Sequence, residues 1–455
     1  MFTISFQITI EMFWRIFSSS CVIFIILTST LLVQSKDSTP PSCFCSLYGS
    51  RLEDCPCTAD TVDSFNNRIN PKLVRLLERD YFRYFQVDFN SACKRGWDLQ
   101  CSSPNCAVEP CDLDTLPESL RDGRQILTRP GDGGETGLLG RLLHWLFQIF
   151  PYLEHLFGYE PDSSSSRKTG CSDPHPEYHD VVKFCKLDPL SAEEVCDSVD
   201  LIQNPEQFTG YSGASAHLVW NTIYNELCFH PEENEKTLYL TANTAKKMCV
   251  EKRSFYKVVS GLHSSISVHL CSNYLLESSG DKAVWGRNYQ EFNKRFLSEA
   301  SEGEGGDRLS NIYYLYLVEL RAVAKVASIL KDIDIKEDQI TETLLSDILQ
   351  DIEEFPDHFE EDKLFQEENM ENEELLKMFQ DNFMKISELM DCVGCQRCKV
   401  WGKLQVTGIG TALKILFTSR EELTLTRHEI VALFNALGRH STSLRELEHF
   451  LEKVK

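Results

Sequence analysis

The sequence predicts a mostly α-helical protein. Two stretches, 249–276 and 309–329, repeat apolar residues at the 3.6-residue period of a helix with one buried face. Three capping-box patterns, in which Ser or Thr precedes Glu by three positions, would each start a helix; they begin at Ser191, Thr426 and Ser443. Long runs that alternate apolar and polar residues, as half-buried strands do, are absent from the sequence.

Composition narrows the class of protein. The 455 residues are 42% hydrophobic and 25% charged, which is typical of a globular protein with a real core. A net charge of −23 argues against nucleic acid as a partner, because phosphates require clustered Lys and Arg. Eighteen cysteines are too many for a reducing compartment. The length allows one large domain or two smaller ones.

The N-terminus reads as a secretory signal peptide over 1–35. Arg15 precedes an apolar run of about 13 residues (21–33), and Ser35 offers a small residue at the cleavage point. The mature chain would then begin at Lys36. An uncleaved membrane anchor is the alternative, because the residues before the run are also apolar.

A cysteine-rich region is expected over 36–119. Within it, Pro104 and Asn105 favour a turn between Cys101 and Cys106, so these two cysteines can pair on an exposed, mobile loop. A disulfide on such a loop is open to attack by the thiolate of another protein.

Two further regions follow. The Gly-, Pro- and Ser-rich stretch 120–190 reads as a variable loop or insertion, and it contains an apolar, helix-like segment at 138–157. That segment packs against its own domain or lies on a membrane surface or partner. Residues 191–455 are expected to form the helical core. Within it, the stretch 331–382 contains 19 acidic residues and only 4 lysines, which predicts a solvated excursion of helix and loop.

The run Cys392-x2-Cys395-x2-Cys398 carries the strongest chemical signal. An iron–sulfur cluster would need a further cysteine at position 402, which is glycine, and a zinc site would need a ligand from elsewhere. A redox-active pair fits better, since Arg397 and Lys399 would favour a thiolate. A purely structural disulfide is the alternative. No nucleotide-binding fingerprint and no metal site are predicted.

Several motifs together resemble the endoplasmic reticulum oxidoreductin family, flavin-dependent thiol oxidases that recharge protein disulfide isomerase. The resemblance covers about 43–111 and 195–450. Its motifs are DYFRYF at 80–85, CSSPNCAVEPC at 101–111, NPE at 204–206, TGY at 209–211, CVEKR at 249–253, SGLH at 260–263, DCVGC at 391–395, WGKL at 401–404 and GTALK at 410–414.

The resemblance implies a single helical domain around FAD. Cys395–Cys398 would be the flavin-proximal disulfide, with Cys398 nearer the flavin, and Cys101–Cys106 the shuttle disulfide. Two structural disulfides are also implied, Cys93–Cys392 and Cys228–Cys249. The positions implied to bind FAD are Thr209, Trp220, Ser260, His263, Arg295 and Arg308, together with Gln207, which stands where the family usually has arginine.

The implied function is reoxidation of protein disulfide isomerase in the lumen of the endoplasmic reticulum, in support of oxidative folding. Electrons would pass from the isomerase through the shuttle pair and the active-site pair to FAD and then to O2, giving hydrogen peroxide. Peripheral association with the lumenal face of the membrane belongs to this expectation. The rival interpretations are a secreted disulfide-rich binding protein without redox turnover and a zinc-binding scaffold.

The remaining cysteines suggest further bonds. Cys43–Cys57 and Cys45–Cys55 nest naturally, whereas Cys171–Cys196 and Cys185–Cys271 are favoured among several connectivities. This pairing leaves Cys111, which lies as far from Cys106 as Cys106 lies from Cys101. A Cys106–Cys111 bond would remove the shuttle disulfide, so Cys111 is a candidate regulatory residue; an inert Cys111 is the alternative.

Overall fold

A computed structural model describes most of the helical part of the chain. Its described residues are 58–97, 107–121, 126–127, 197–206, 214–228, 250–279, 282–297, 305–333, 335, 339–355, 372–418 and 423–454. All of them belong to one compact unit, Cys43–Lys455. The predicted signal peptide, the apolar segment 138–157 and nearly all of the insertion 120–190 lie outside these residues.

Helices dominate the described part of the chain, as predicted. They are α1 Ala59–Leu77, α2 Asp80–Arg83, α3 Glu118–Arg121, α4 Ala214–Thr222, α5 Val250–Ser272, α6 Tyr289–Phe292, α7 Gly305–Lys331, α8 Gln339–Glu353, α9 Asn372–Met390, α10 Gln396–Phe417 and α11 Arg427–Val454. Two of them continue as π-helix: α4 over Ile223–Cys228 and α6 over Asn293–Leu297.

The described strands are short and form three antiparallel pairs. β1 (Tyr84–Val87) pairs with β3 (Asp197–Asp200), with Phe85 opposite Val199. β2 (Ile126–Leu127) pairs with β6 (Leu425–Thr426). β4 (Tyr274–Ser279) and β5 (Lys282–Gly286) form a hairpin directly after α5. The first two pairs join distant parts of the chain, and Phe85, Val87, Val199 and Leu425 of their strands are buried in the core.

Four long helices, α5, α7, α10 and α11, form the centre of the core. α5 packs on α7, α10 packs on α11, and α11 also packs on α1. Glycine permits close approach at two of these contacts. A Cβ at Gly261 of α5 would lie 2.4 Å from the Asn311 carbonyl oxygen of α7, and a Cβ at Gly408 of α10 would lie 2.4 Å from the Ala432 carbonyl oxygen of α11. Among the described positions of the predicted site, Ser260 and His263 lie on α5, Arg308 on α7 and Cys398 on α10.

The capping boxes had different outcomes. The box at Thr426 is confirmed: the Glu429 N–H donates to Thr426 Oγ1 (3.3 Å), the Thr426 N–H donates to Glu429 Oε2 (2.7 Å), and α11 begins at Arg427. The box at Ser443 is wrong, because that residue lies inside α11. Its hydroxyl is buried and lies 2.7 Å from Ser265 Oγ on α5.

The acidic excursion is not solvated throughout. α8 buries Leu344, Leu345, Ile348, Leu349 and Ile352 against α1 and α7, and turns its acidic side chains outward. Asp351 on that helix pairs with Lys72 of α1 (2.5 Å). Apolar residues that recur at helical spacing within an otherwise acidic sequence are typical of a surface helix with one buried face. Among the described helices, none combines the length and apolar character that crossing a membrane requires.

Candidate functional site

The active-site turn, which we define as 391–398, joins α9 to α10. Cys395 is the N-cap of α10, and its sulfur accepts a hydrogen bond from the Cys398 N–H (3.3 Å). A thiolate is favoured there, because the first turn of a helix presents unpaired N–H groups and a partial positive charge. The hydrogen bond from the Cys398 thiol, aided by the backbone N–H groups of Cys398 and Arg397 and by the Arg397 charge, lowers the pKa of Cys395 to about 7 despite burial.

Cys398 has the opposite preference. The hydrogen bond that it donates to Cys395 raises the pKa of Cys398, and burial and the nearby Glu206 carboxylate raise it further. The two cysteines therefore share one proton, with the negative charge on Cys395. Both sulfurs are thiols in this structure, which represents the reduced state of the disulfide that the family resemblance implies.

Two links fix the start of the active-site turn. The implied Cys93–Cys392 disulfide is present and joins positions 299 residues apart in sequence. Directly before it, Asp391 pairs with Lys403 (2.6 Å), which lies two turns into α10 and is 2% exposed. The turn is thus attached both to the segment before residues 94–107, which we call the cysteine loop, and to α10, the helix that begins in the turn.

A buried charge network beneath Cys398 escaped the sequence analysis. Glu206 pairs with Arg439 of α11 and accepts a hydrogen bond from Gln405 of α10 (3.2 Å). His269 of α5 lies beside this network, with its Nε2 3.7 Å from Glu206 Oε2, and burial and the Arg439 charge lower its pKa to about 4. The NPE motif at 204–206 was the available signal, but the motif alone assigned no role to Glu206.

Most of the implied FAD positions come together around α5. His263 stacks on Trp220 (ring centroids 4.1 Å apart, 11° between planes), and the Tyr224 hydroxyl lies 3.2 Å from His263 Nδ1. Burial, followed by the charges of Arg308 and Arg295, lowers the pKa of His263 well below its usual value. His263 is therefore a neutral ring that stacks on an indole and feels the positive charge of two guanidinium groups.

The polar groups here have partners within the chain. Arg295 pairs with Glu291 (2.8 Å), and the nearly buried Arg308 donates to the Arg295 carbonyl oxygen (3.1 Å). Ser260, also on α5, accepts a hydrogen bond from Asn311 (3.0 Å). An aromatic pair beside two guanidiniums suits a ligand with an aromatic ring system and a pyrophosphate, so these residues fit FAD. Gln207 and Thr209 lie outside the described residues.

The other cysteines divide into two groups. Cys228 and Cys271 are buried thiols in the structure, and the disulfides predicted for them with Cys249 and Cys185, which lie outside the described residues, stay predictions. Burial in apolar surroundings raises the pKa of Cys228 well above its usual value and that of Cys271 to about 12, as expected of cysteines that act as small hydrophobic residues. The remaining predicted cysteines lie outside the described residues: Cys43, Cys45, Cys55, Cys57, Cys101, Cys106, Cys171, Cys185, Cys196 and Cys249.

Comparisons with known proteins match this chain to one family. The family model described as Endoplasmic Reticulum Oxidoreductin 1 matches residues 68–447. The chain is 39% identical to ERO1-like protein alpha of Sus scrofa over 92% of this chain and 93% of that protein, and 38% identical to the Ero1-like protein of Drosophila melanogaster over 91% and 92%.

A solved structure, "Structure of Ero1p, Source of Disulfide Bonds for Oxidative Protein Folding in the Cell", has a TM-score of 0.55 and 26% identity. The match covers 87% of this chain and 98% of that one. With a family match over most of its length, relatives near 39% identity and a shared mostly helical fold, the chain belongs to the endoplasmic reticulum oxidoreductin 1 family.

Proposed function

We propose that this chain oxidises the dithiol of protein disulfide isomerase and passes the electrons through two cysteine pairs of its own to FAD and then to O2, with release of hydrogen peroxide. Membership of the family makes it an oxidoreductase that acts on thiols in oxidative protein folding in the endoplasmic reticulum. The finer steps rest on the cysteines and on the residues around His263.

The main support for the proposal is the opposite proton preference of the two cysteines in the active-site turn. When the Cys395–Cys398 disulfide accepts two electrons and one proton, the S–S bond breaks and one thiolate and one thiol remain. The turn stabilises this product, because Cys395 holds the charge at the helix N-terminus while Cys398 keeps the proton. A structural disulfide would have no need of such a preference.

The shuttle pair, Cys101–Cys106, stands before this turn in the proposed path. The reduced isomerase attacks the shuttle disulfide, and the resulting shuttle dithiol then reduces Cys395–Cys398, each time through a mixed disulfide. Two electrons move in each exchange, so one disulfide forms for each that breaks. A separate shuttle is useful because Cys395 and Cys398 are each 2% exposed and out of reach of a folded partner protein.

FAD would be held by Trp220, Ser260, His263, Arg295 and Arg308, with Gln207 and Thr209 as further predicted contacts. When bound, the flavin accepts two electrons from a dithiol and transfers them to O2. The chain would bind the cofactor and exclude water from it. The aromatic pair offers an apolar wall, and Arg295 and Arg308 supply positive charge for a pyrophosphate.

Cys111 keeps its proposed regulatory role. Its backbone N–H is fixed to the Ser198 carbonyl oxygen (2.6 Å), and burial raises the pKa of its partly buried thiol. Such a thiol is a poor nucleophile at neutral pH, so exchange to a Cys106–Cys111 bond would be slow and would serve as a gradual off-switch. Cys111→Ala should shorten the lag before oxygen uptake; an unchanged lag would make Cys111 a bystander.

Oxygen uptake by purified protein tests the main proposal. The protein should be yellow and should consume O2 when given a reduced dithiol. Cys398→Ala should keep the flavin absorbance and lose oxygen uptake, whereas Cys101→Ala should keep uptake with dithiothreitol and lose it with reduced protein disulfide isomerase. Equal loss with both reductants in Cys101→Ala would contradict the shuttle assignment, and a colourless wild-type protein would contradict the use of flavin.

A further inference from the structure

The segment that follows the cysteine loop is fastened to the site at three points. The Val108 N–H donates to Gln396 Oε1 (3.3 Å). The Asn204 side chain forms two bonds with Glu109, accepting from its N–H (3.1 Å) and donating to its carbonyl oxygen (3.2 Å). The Cys111 N–H donates to the Ser198 carbonyl oxygen (2.6 Å). The downstream end of the loop therefore has a fixed place.

The first of these contacts differs from the other two. Ser198 and Asn204 belong to the strand β3 and the turn after it, whereas Gln396 is part of the active-site turn itself, between Cys395 and Cys398. The upstream end of the loop is fastened to the same turn, because Cys93 is bonded to Cys392. The two residues that flank 94–107 are thus both attached to the turn, Cys93 by a disulfide and Val108 by a hydrogen bond.

Among the described residues, the side chain of Gln396 makes no other hydrogen bond. It is the first residue of α10, and its side chain is exposed rather than packed in the core. An exposed residue at this position would normally leave its polar end in water. Here the side-chain oxygen instead accepts from a backbone group that lies 288 residues away in sequence.

We propose that Gln396 is a positioning residue, which holds the downstream end of the cysteine loop on the active-site turn and so raises the concentration of a loop thiol beside Cys395. The inference rests on the proposed shuttle function and adds a residue to it. Cys106 precedes Val108 by two residues, so covalent geometry keeps their Cα atoms within about 7 Å of each other. Fixing Val108 at the turn therefore restricts how far Cys106 can move from Cys395.

The test measures this concentration directly. A parent variant, Cys101→Ala with Cys111→Ala and Cys398→Ala, keeps Cys106 and Cys395 while removing the other cysteines assigned to the shuttle, the switch and the active site. Glutathione disulfide converts the two thiols to one protein disulfide and two molecules of glutathione. The equilibrium constant of that reaction is the effective concentration of one thiol at the other, expected in the millimolar range for a short flexible connection.

Three variants of the parent separate the hydrogen bond from other effects. Gln396→Met keeps the length of the side chain but has no carbonyl acceptor, and should lower the effective concentration about fivefold, the factor for one hydrogen bond of about 1 kcal/mol. Gln396→Glu keeps an acceptor for the Val108 N–H and should stay within about twofold of the parent. Gln350→Met, at an exposed position of α8, is the matched control and should leave it unchanged.

The outcomes distinguish the role of Gln396 from the shuttle assignment. Equal values for the parent and Gln396→Met, or an equal fall in Gln396→Glu and Gln396→Met, would overturn the role of Gln396 and leave the shuttle intact. If the parent forms no Cys106–Cys395 disulfide at any glutathione ratio, both the shuttle assignment and the role of Gln396 are wrong.

Discussion

At Cys395, two opposing effects act on one sulfur. Burial alone would raise the pKa of a thiol, since it removes the charged form from water. The hydrogen bonds at the start of α10 outweigh that cost and bring the pKa to about 7, two units below the usual 9 and equivalent to about 3 kcal/mol in favour of the thiolate. Cys398 supplies the largest share, so the preference belongs to the pair.

The pH dependence of alkylation tests this arrangement. In the reduced protein, the rate at which iodoacetamide modifies Cys395 should rise through pH 7 and level off near pH 8. In Cys398→Ala the thiol hydrogen bond is lost, so the rise should move toward the usual pKa near 9. Mass spectrometry of peptides gives the rate for each cysteine, and Cys111, whose pKa is raised by burial, is the internal comparison. Identical curves for Cys395 in both proteins would contradict the sharing of a proton.

Asp63 on α1 shows the opposite balance. Burial raises its pKa to about 6, although the Tyr313 hydroxyl donates to the carboxylate (2.9 Å). The folded chain thus binds a proton here more readily than the unfolded chain, whose pKa is about 3.8. Stability from this group is highest below pH 4 and is lost as pH rises to about 6.

Replacing Asp63 should therefore stabilise the protein at neutral pH. Asp63→Asn keeps an acceptor for Tyr313 and should raise the free energy of unfolding by about 1–2 kcal/mol at pH 7.5, with no gain at pH 4. Urea unfolding at both pH values measures the difference. Asp347→Asn, at an exposed position of α8, is the control, since its charge is not among the causes of the raised pKa of Asp63. A gain that is equal at both pH values would show that charge burial is not its cause.

At the scale of elements, one carboxylate joins α10 to α11. Glu429 caps α11 through Thr426, and its other oxygen pairs with Lys414 of α10 (2.6 Å). Both members of this pair are 6% exposed. Removing one partner of a buried pair leaves the other charged and without water, which costs far more than the loss of a surface pair.

Two glutamates of α11 allow a matched comparison. Glu429→Gln should lower the free energy of unfolding by about 3 kcal/mol, because Lys414 stays buried. Glu446→Gln should lower it by less than about 1 kcal/mol, because its pair with Arg287 (2.6 Å) is at the surface. Thermal unfolding followed by circular dichroism measures both. Similar losses in the two variants would mean that burial does not set the strength of the Lys414 pair.

At the scale of the whole molecule, the Cys93–Cys392 disulfide is the longest-range covalent link described. It closes a loop of about 300 residues, because its cysteines lie 299 positions apart. A loop of that length restricts the unfolded chain strongly, by about 5–6 kcal/mol in the chain-entropy account. The link also fixes the upstream end of the cysteine loop to the active-site turn.

Removing this disulfide should affect both stability and turnover. Cys93→Ala with Cys392→Ala should lower the thermal midpoint by several degrees, since a protein of this size loses about 1–2 °C per kcal/mol. Oxygen uptake with reduced protein disulfide isomerase should fall more than uptake with dithiothreitol. An unchanged midpoint would argue that the restriction of the unfolded chain contributes little; an equal fall with both reductants would argue against a role in holding the loop.

Local patterns in the sequence predicted α5, α7, the cap at Thr426 and, with the family resemblance, the thiol pair and the cluster around His263. The failures came from contacts between distant residues. Ser443 matches a capping box but lies inside a helix that Thr426 had already started, and no local pattern records its contact with Ser265. Asn204, Glu206 and Gln396 likewise owe their roles to partners 95 to 288 residues away.

The pairing of β1 with β3 and of β2 with β6 has a consequence for chain architecture. Arg427 follows β6 and donates to the Tyr84 carbonyl oxygen (3.1 Å) at the start of β1, so the two ribbons are neighbours. Leu127 and Asp197, the described residues on either side of the stretch 128–196, therefore lie in neighbouring ribbons. Changes in the length of this stretch cost little closure entropy, which grows only with the logarithm of loop length. The stretch is thus a natural place for a reporter domain or a new chain terminus, with the thiol site left intact.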